Sequence, residues 1–242
     1  MLKVHSFETF GTHEGPGIRL VVFLQGCLFR CKYCHNPDTQ DLEGGLEVTT
    51  EQILNKAQAE KVFFKKKGGV TFSGGEPTFQ AKELLPTIQA LQDAGFHVAL
   101  DTNGGIYNSW VGQIYEIVDL VLLDIKHIDN DQHVQLTGHT NLNTLKLAKF
   151  REDTGRHMWL RLVLVPGIND QPEYLHRWGQ AFQDYKSVQR VEILPYHELG
   201  KYKYEELNLP YQLQGVKPPT LDEVKKAQQI LEVYFGKKVF IR

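Results

Sequence analysis

Short apolar runs rich in β-branched residues recur along the chain, each followed by a stretch with helical spacing. The runs fall at Arg19–Leu24, Val70–Ser73, His97–Asp101, Leu120–Asp124, Met158–Val165 and Val191–Pro195, with a seventh at Lys238–Ile241. Between them, Thr49-Thr50-Glu51-Gln52 has the spacing of a capping box ahead of Ile53, Leu54 and Ala57. Leu84, Ile88 and Leu91 repeat at i, i+4, i+7, and Gly95 is placed to stop that helix. Further helices are predicted over Tyr107–Val118, Asn141–Thr154, Pro172–Tyr185 and Leu221–Tyr234. Strand–helix alternation of this kind builds a parallel sheet covered by helices. Six such units are too few for an eight-fold barrel, which leaves an open or partial barrel or a doubly wound sheet. In both, functional groups gather where the strands end.

The predicted strand ends carry the unusual residues. They lead into Gly26-Cys27-Leu28-Phe29-Arg30-Cys31-Lys32-Tyr33-Cys34-His35, Ser73-Gly74-Gly75-Glu76-Pro77, Asp101-Thr102-Asn103-Gly104, Asp124-Ile125-Lys126, Pro166-Gly167 and Pro195-Tyr196-His197. Gly74-Gly75 clears side chains where backbone must approach a ligand, and Glu76 adds an acceptor suited to an ammonium; a plain tight turn is the simpler reading. Asp101 and Asp124 suit a hard cation, ribose hydroxyls, or ordinary helix caps. Lys126 suits a carboxylate or phosphate, and His197 a ligand hydrogen bond. His35, adjacent to Cys34, suits a ligand contact or the support of a metal ligand rather than coordination.

Composition narrows the class. The 242 residues are 41% hydrophobic and 23% charged, with a formal net charge of −2, which argues against broad electrostatic binding of nucleic acid. Lys65-Lys66-Lys67 reads as the solvated end of a helix. No apolar stretch is long enough to span a bilayer and Met1–His5 lacks a signal-peptide core, so a cytoplasmic protein without a membrane partner is expected. No repeat or linker divides the chain, and one domain over residues 1–242 is expected.

Cys27, Cys31 and Cys34 are the only cysteines. Structural zinc usually takes four ligands, commonly as two pairs, and no second pair exists. A Cys31–Cys34 redox pair would leave Cys27 unexplained. Three thiolates on a cubane iron–sulfur cluster, with one iron left for another ligand, account for the odd count better.

The Cys27-x3-Cys31-x2-Cys34 spacing with Tyr33 before the last cysteine resembles the radical S-adenosylmethionine (radical SAM) signature, and Ser73–Pro77 resembles the methionine-binding motif of that superfamily. His5–Glu8, Gly15–Arg19, Tyr33–Asn36, Leu100–Gly104, Pro195–Lys201 and Val216–Pro219 extend the likeness to the glycyl-radical-enzyme activases that act on pyruvate formate-lyase, from Val4 to about Phe240. Asn36–Gly69 holds no cysteine, matching forms without a ferredoxin-like insertion.

The resemblance implies an α/β fold, a partial (β/α)6 barrel open at one side. It also implies a [4Fe–4S] cluster on Cys27, Cys31 and Cys34 whose unique iron binds S-adenosylmethionine. The reduced cluster would cleave it to methionine and a 5′-deoxyadenosyl radical, which takes a hydrogen from a glycine Cα of the lyase. Tyr33 and His35 would line the adenosine side of the cofactor, with Cys34 a further cofactor contact, Gly75 and Glu76 the methionine ammonium, Asp124, Ile125 and Lys126 the methionine and ribose, and His197 the nucleoside. Asp101, Thr102 and Asp124 would gather a monovalent cation. The implied partners are the lyase and an electron donor such as flavodoxin or ferredoxin, the activase itself being a monomer. The family loop often reads Asp-Gly-Pro-Gly; here Glu14-Gly15-Pro16-Gly17 keeps the charge on a longer side chain. Action on another glycyl radical enzyme or a small molecule is the alternative, and a zinc-binding module without catalysis a third reading.

Overall fold

The computed structural model describes residues 1–242. Contacts divide the chain into two compact units, one of Met1–Leu28 with Thr39–Leu122 and one of Phe29–Asp38 with Leu123–Arg242.

The first unit begins with β1 (Leu2–Gly11), antiparallel to β2 (Arg19–Leu24) and to the short β3 (Leu46–Val48). Then α1 (Thr50–Phe64), β4 (Gly69–Gly74), α2 (Ala81–Asp93), β5 (Val98–Thr102) and α3 (Ser109–Ile117) follow in alternation. The capping box forms as its spacing predicts: the Thr49 hydroxyl accepts from the Gln52 N–H, and the Gln52 side chain accepts from the Thr49 N–H at 2.8 Å. β2, β4 and β5 are parallel neighbours, and Leu24 lies opposite Gly74, so β2 and β4 end level. Lys65–Lys67 trail exposed from the end of α1, as a solvated helix end should.

β6 (Leu120–Asp124) leads into the second unit, which continues with α4 (Asn130–Thr137), α5 (Leu142–Asp153), β7 (Met158–Leu164), α6 (Pro172–Phe182), β8 (Val188–Pro195), α7 (Lys201–Glu206), α8 (Leu221–Phe235) and β9 (Val239–Ile241). Here β7, β8 and β9 are parallel, with Leu164 opposite Pro195. Within the first unit the strand order is β3-β1-β2-β4-β5, a mixed sheet, and within the second β7-β8-β9. The strands β2, β4, β5, β6, β7 and β8 each lead to an α-helix before the next of them, β3 intervening after β2, which gives the six units expected.

Four elements go beyond the sequence expectation, one of them the six-residue α7. β1 carries register shifts between Val4 and Ser6 and between Glu8 and Gly11, with Phe10 at φ 62°, so its apolar residues lose the two-residue period that announces a strand. β3 is a three-residue edge strand. α4 is mostly polar, and what it buries includes His133 and Thr137. No helix is long and apolar enough to cross a membrane.

Candidate functional site

In the first unit the site begins where β2 stops. Backbone hydrogen bonds stitch this exit to the glycine turn after β4: Gly75 N–H donates to the Leu24 carbonyl at 2.9 Å, and Glu76 N–H to the Gly26 carbonyl at 2.8 Å. A Cβ on Gly75 would stand 2.4 Å from the Gly26 carbonyl oxygen. Gly26 has φ +98°, and a Cβ there would meet the Phe79 ring at 2.6 Å. Small residues at both places allow the approach that sets the backbone entering Cys27, whose side chain is buried.

Glu76 is 1% exposed. One carboxylate oxygen accepts from the Thr78 N–H (3.0 Å), the Thr78 hydroxyl (2.6 Å) and the Thr102 hydroxyl (2.7 Å); the other accepts from the Asn103 N–H (2.8 Å). Burial pushes its pKa up while those hydrogen bonds pull it down, and burial prevails. Asp101 accepts from the Ser73 hydroxyl at 2.8 Å. Neither Asp101 nor Asp124 caps a helix; Asn108 and Asp129 cap α3 and α4.

In the second unit the loop carrying Cys31 and Cys34 rests on the end of α4. Arg30 N–H donates to the Thr137 carbonyl (2.7 Å) and Lys32 N–H to the Leu136 carbonyl (3.0 Å). Phe29 stacks on His139 and meets His133 edge-on. His133 donates from Nδ1 to the His139 carbonyl at 2.6 Å, which leaves Nε2 unprotonated, buried and without a partner. Burial pulls its pKa to about 4.

Tyr33, Lys126 and Asp124 form one group. Lys126 Nζ lies 2.7 Å from Asp124 and 5.6 Å from the centre of the Tyr33 ring. Burial lowers the Lys126 pKa, but Asp124 and its other neighbours hold it well above the ordinary value. Ile125 is buried, its N–H donating to the Arg161 carbonyl at 2.9 Å. The Tyr33 hydroxyl is buried with no hydrogen-bond partner. Tyr33 packs with Leu136, Val165, Tyr196 and Leu213, and Cys31 lies against that cluster.

The segment after β8 grips the far side of this loop. His35 and His197 stack at 4.0 Å between ring centres, and His35 Nε2 meets the His197 carbonyl at 3.1 Å. A Cβ on Gly200 would stand 2.8 Å from the His35 Cα. Lys203 bridges Asn36 (3.0 Å) and Asp38 (2.9 Å), and the Tyr204 hydroxyl donates to the Cys34 carbonyl at 3.0 Å. The structure thus joins Tyr33 with Lys126 and Asp124, and His35 with His197, as members of shared contacts.

Two comparisons decide the family. A model of the Radical SAM superfamily matches residues 21–178. Pyruvate formate-lyase 1-activating enzyme of Escherichia coli (strain K12) is 42% identical over 241 residues, covering 98% of each chain. The chain belongs to the pyruvate formate-lyase-activating enzymes of the radical SAM superfamily. The Streptococcus mutans pyruvate formate-lyase-activating enzyme is 44% identical over 236 residues, 94% of this chain and 90% of the relative. Among solved structures, a domain of pyruvate-formate lyase-activating enzyme from Bacteroides vulgatus has a TM-score of 0.61 at 23% identity, covering 72% of this chain and 99% of that one. Streptococcus suis SuiB bound to precursor peptide SuiA has a TM-score of 0.73 at 15% identity, covering 93% of this chain and 48% of that one. These two likenesses are of fold.

Membership in this radical SAM family brings a [4Fe–4S] cluster and S-adenosylmethionine as cofactors. The residues fit them: none of the three cysteines is in a disulfide, the glycine turn leaves backbone bare beside Cys27, and the Tyr33 hydroxyl is an unsatisfied buried group. No three histidine, cysteine, aspartate or glutamate side chains are gathered as a single ion would need. A cubane does not ask for that, since each thiolate takes its own iron.

Sequence reasoning quoted Asn103 within the Asp101–Gly104 run but gave it no role, and passed over Lys203 and Tyr204. Lys203 and Tyr204 stand in a polar stretch whose grip on residues 34–38 spans more than 160 positions of chain. Only the YHELG-like run just before them, Tyr196–Gly200, gave any signal.

Proposed function

We propose that this chain activates pyruvate formate-lyase by generating a glycyl radical on it, as one radical SAM domain over residues 1–242. Relatives named as activating enzymes of that lyase match it at 42–44% identity over nearly its whole length, and this observation carries the reading. When bound, the cluster and S-adenosylmethionine supply a one-electron reductive cleavage and a radical able to take a hydrogen atom from a glycine Cα.

The chain's own residues would bind and orient. Cys27, Cys31 and Cys34 would hold the cluster. Gly75 and Glu76 would offer backbone to the methionine end, with the Glu76 side chain keeping that turn rigid through Thr78, Thr102 and Asn103. Tyr33 would turn its unsatisfied hydroxyl to the cofactor. Asp124, Ile125 and Lys126 would line the methionine and ribose, the ion pair holding Asp124 in place. His35 and His197, already stacked, would present a flat surface to the nucleoside. Asp101, Thr102 and Asp124 would gather a monovalent cation. A low-potential protein such as flavodoxin or ferredoxin would supply the electron, to an activase acting as a monomer in the cytoplasm.

The test uses anaerobically reconstituted, reduced protein with S-adenosylmethionine, with and without pyruvate formate-lyase. A doublet glycyl radical signal in electron paramagnetic resonance (EPR) is expected only with the lyase. Formation of 5′-deoxyadenosine with no glycyl radical would redirect the reading to another substrate, and zinc without acid-labile sulfide would overturn it.

A further inference from the structure

Asn103, just past the end of β5, is buried. Its backbone N–H donates to Glu76 at 2.8 Å, and its side-chain oxygen accepts from the Gly105 N–H at 2.8 Å. The second bond settles which end of the amide is oxygen. The other end, Nδ2, therefore aims its hydrogens outward from that bond, and Cys27 Sγ lies 3.7 Å away. That is an ordinary separation for N–H···S, where the large sulfur lengthens the contact. Both residues are shielded from water, so the amide dipole acts on the sulfur with little screening.

We propose that Asn103 is a positioning residue that raises the electron affinity of the [4Fe–4S] cluster by donating a hydrogen bond to the Cys27 sulfur. The inference rests on Cys27 being a cluster ligand. On taking one electron from a low-potential donor protein the cluster gains one negative charge, part of which resides on its sulfurs. An N–H dipole pointed at a ligand sulfur stabilises the reduced form more than the oxidised form. The dipole is in place before the electron arrives: Gly105 fixes the amide plane and Glu76 fixes the main chain beneath it. Neither anchor uses the Asn103 amide nitrogen, the atom that meets the sulfur.

The test is an EPR-monitored redox titration of reconstituted wild-type protein, Asn103→Ala and Asn103→Asp, with iron and sulfide measured on each. Asn103→Ala removes the donor and keeps the backbone bond to Glu76. Asn103→Asp keeps the shape and the bond from Gly105, but points a carboxylate oxygen at the sulfur. The expected result is full cluster content throughout, with reduction disfavoured about tenfold in Asn103→Ala, about 59 mV to the negative for one electron. Asn103→Asp should titrate lower still. A role in packing alone predicts wild-type potential for Asn103→Ala, which adds no charge beside the sulfur, and that outcome in cluster-replete protein overturns the proposal. Loss of the cluster in both variants would make Asn103 an assembly requirement and overturn it too. Iron and sulfide that survive Cys27→Ala would overturn the ligand assignment itself, and the proposal with it.

Discussion

Glu76 and Glu192 are buried to nearly the same degree, one in each compact unit, and their surroundings differ in kind. Glu76 is surrounded by hydroxyls and backbone amides of Thr78, Thr102 and Asn103. Glu192, on β8, sits among arginines: Arg161 Nε at 3.0 Å, Arg242 Nε at 2.8 Å, and Arg190 at 2.9 Å as an ion pair without hydrogen-bond geometry. Arg190 instead spreads its guanidinium over the Phe240 and Trp159 rings. A carboxylate ringed by arginines is neutralised by its own protein and acts as a structural tie. A carboxylate held only by neutral donors keeps its negative potential, which suits a turn proposed to meet the ammonium of a cofactor.

The contrast is most exposed to failure at Glu192. Glu192→Ala leaves the buried Arg161 without its carboxylate, and apo-protein should lose roughly 3–5 kcal/mol in urea unfolding. A loss below 1 kcal/mol would mean that the arginines are solvated well enough without it, and the contrast would collapse.

Glu76→Ala should cost less, about 2 kcal/mol, because it frees several buried donors but also removes an ion that burial disfavours. The sign of its pH dependence follows from the raised pKa. As pH rises past the ordinary carboxyl value of about 4, the unfolded chain ionises first and the native carboxyl lags, so wild-type stability falls. The penalty of Glu76→Ala should therefore be larger near pH 4 than at pH 7. Equal penalties at the two pH values would show that Glu76 behaves as a neutralised carboxylate, like its counterpart.

His133 extends the comparison to a buried base without a counter-charge. Its pKa, near 4 against about 6.5 in the unfolded chain, makes the unfolded state bind the proton first on acidification. The stability that it contributes above pH 6.5 is lost as pH falls towards 4, by about 3 kcal/mol. His133→Phe should flatten the acid limb of urea-unfolding free energy by that amount, while His35, His97, His127 and His197, also shifted down, keep the remainder. An unchanged limb would place the protonation elsewhere.

The smallest effect calibrates the rest. Tyr204→Phe removes one uncharged hydrogen bond, to the Cys34 carbonyl, and should cost about 1 kcal/mol in the apo-protein. A cost as large as that of Glu192→Ala would mean that hydrogen-bond charge does not rank these contacts.

Much of the fold was legible because its signals are local. β2 and β6 have the predicted bounds, and the Thr49–Gln52 capping box closes as its spacing demands. β1 was not legible, because two bulges break its period, nor was α4, because the side chains it buries include a histidine and a threonine rather than an apolar stripe alone. The cysteine triplet and the glycine turn could be read as chemistry because each lies within a few consecutive residues.

Residue order alone thus determined the family, the number of strand–helix units and the cysteine loop, since capping, periodicity and motif spacing act over a handful of positions. Tertiary structure alone decided which carboxylate meets arginines and which meets hydroxyls. It also decided that Tyr204 reaches Cys34 and that an asparagine amide faces the Cys27 sulfur. Apart from Thr78 beside Glu76 and Arg190 beside Glu192, those contacts join positions 26 to 170 residues apart, and no local pattern encodes a neighbour that the chain acquires only by folding.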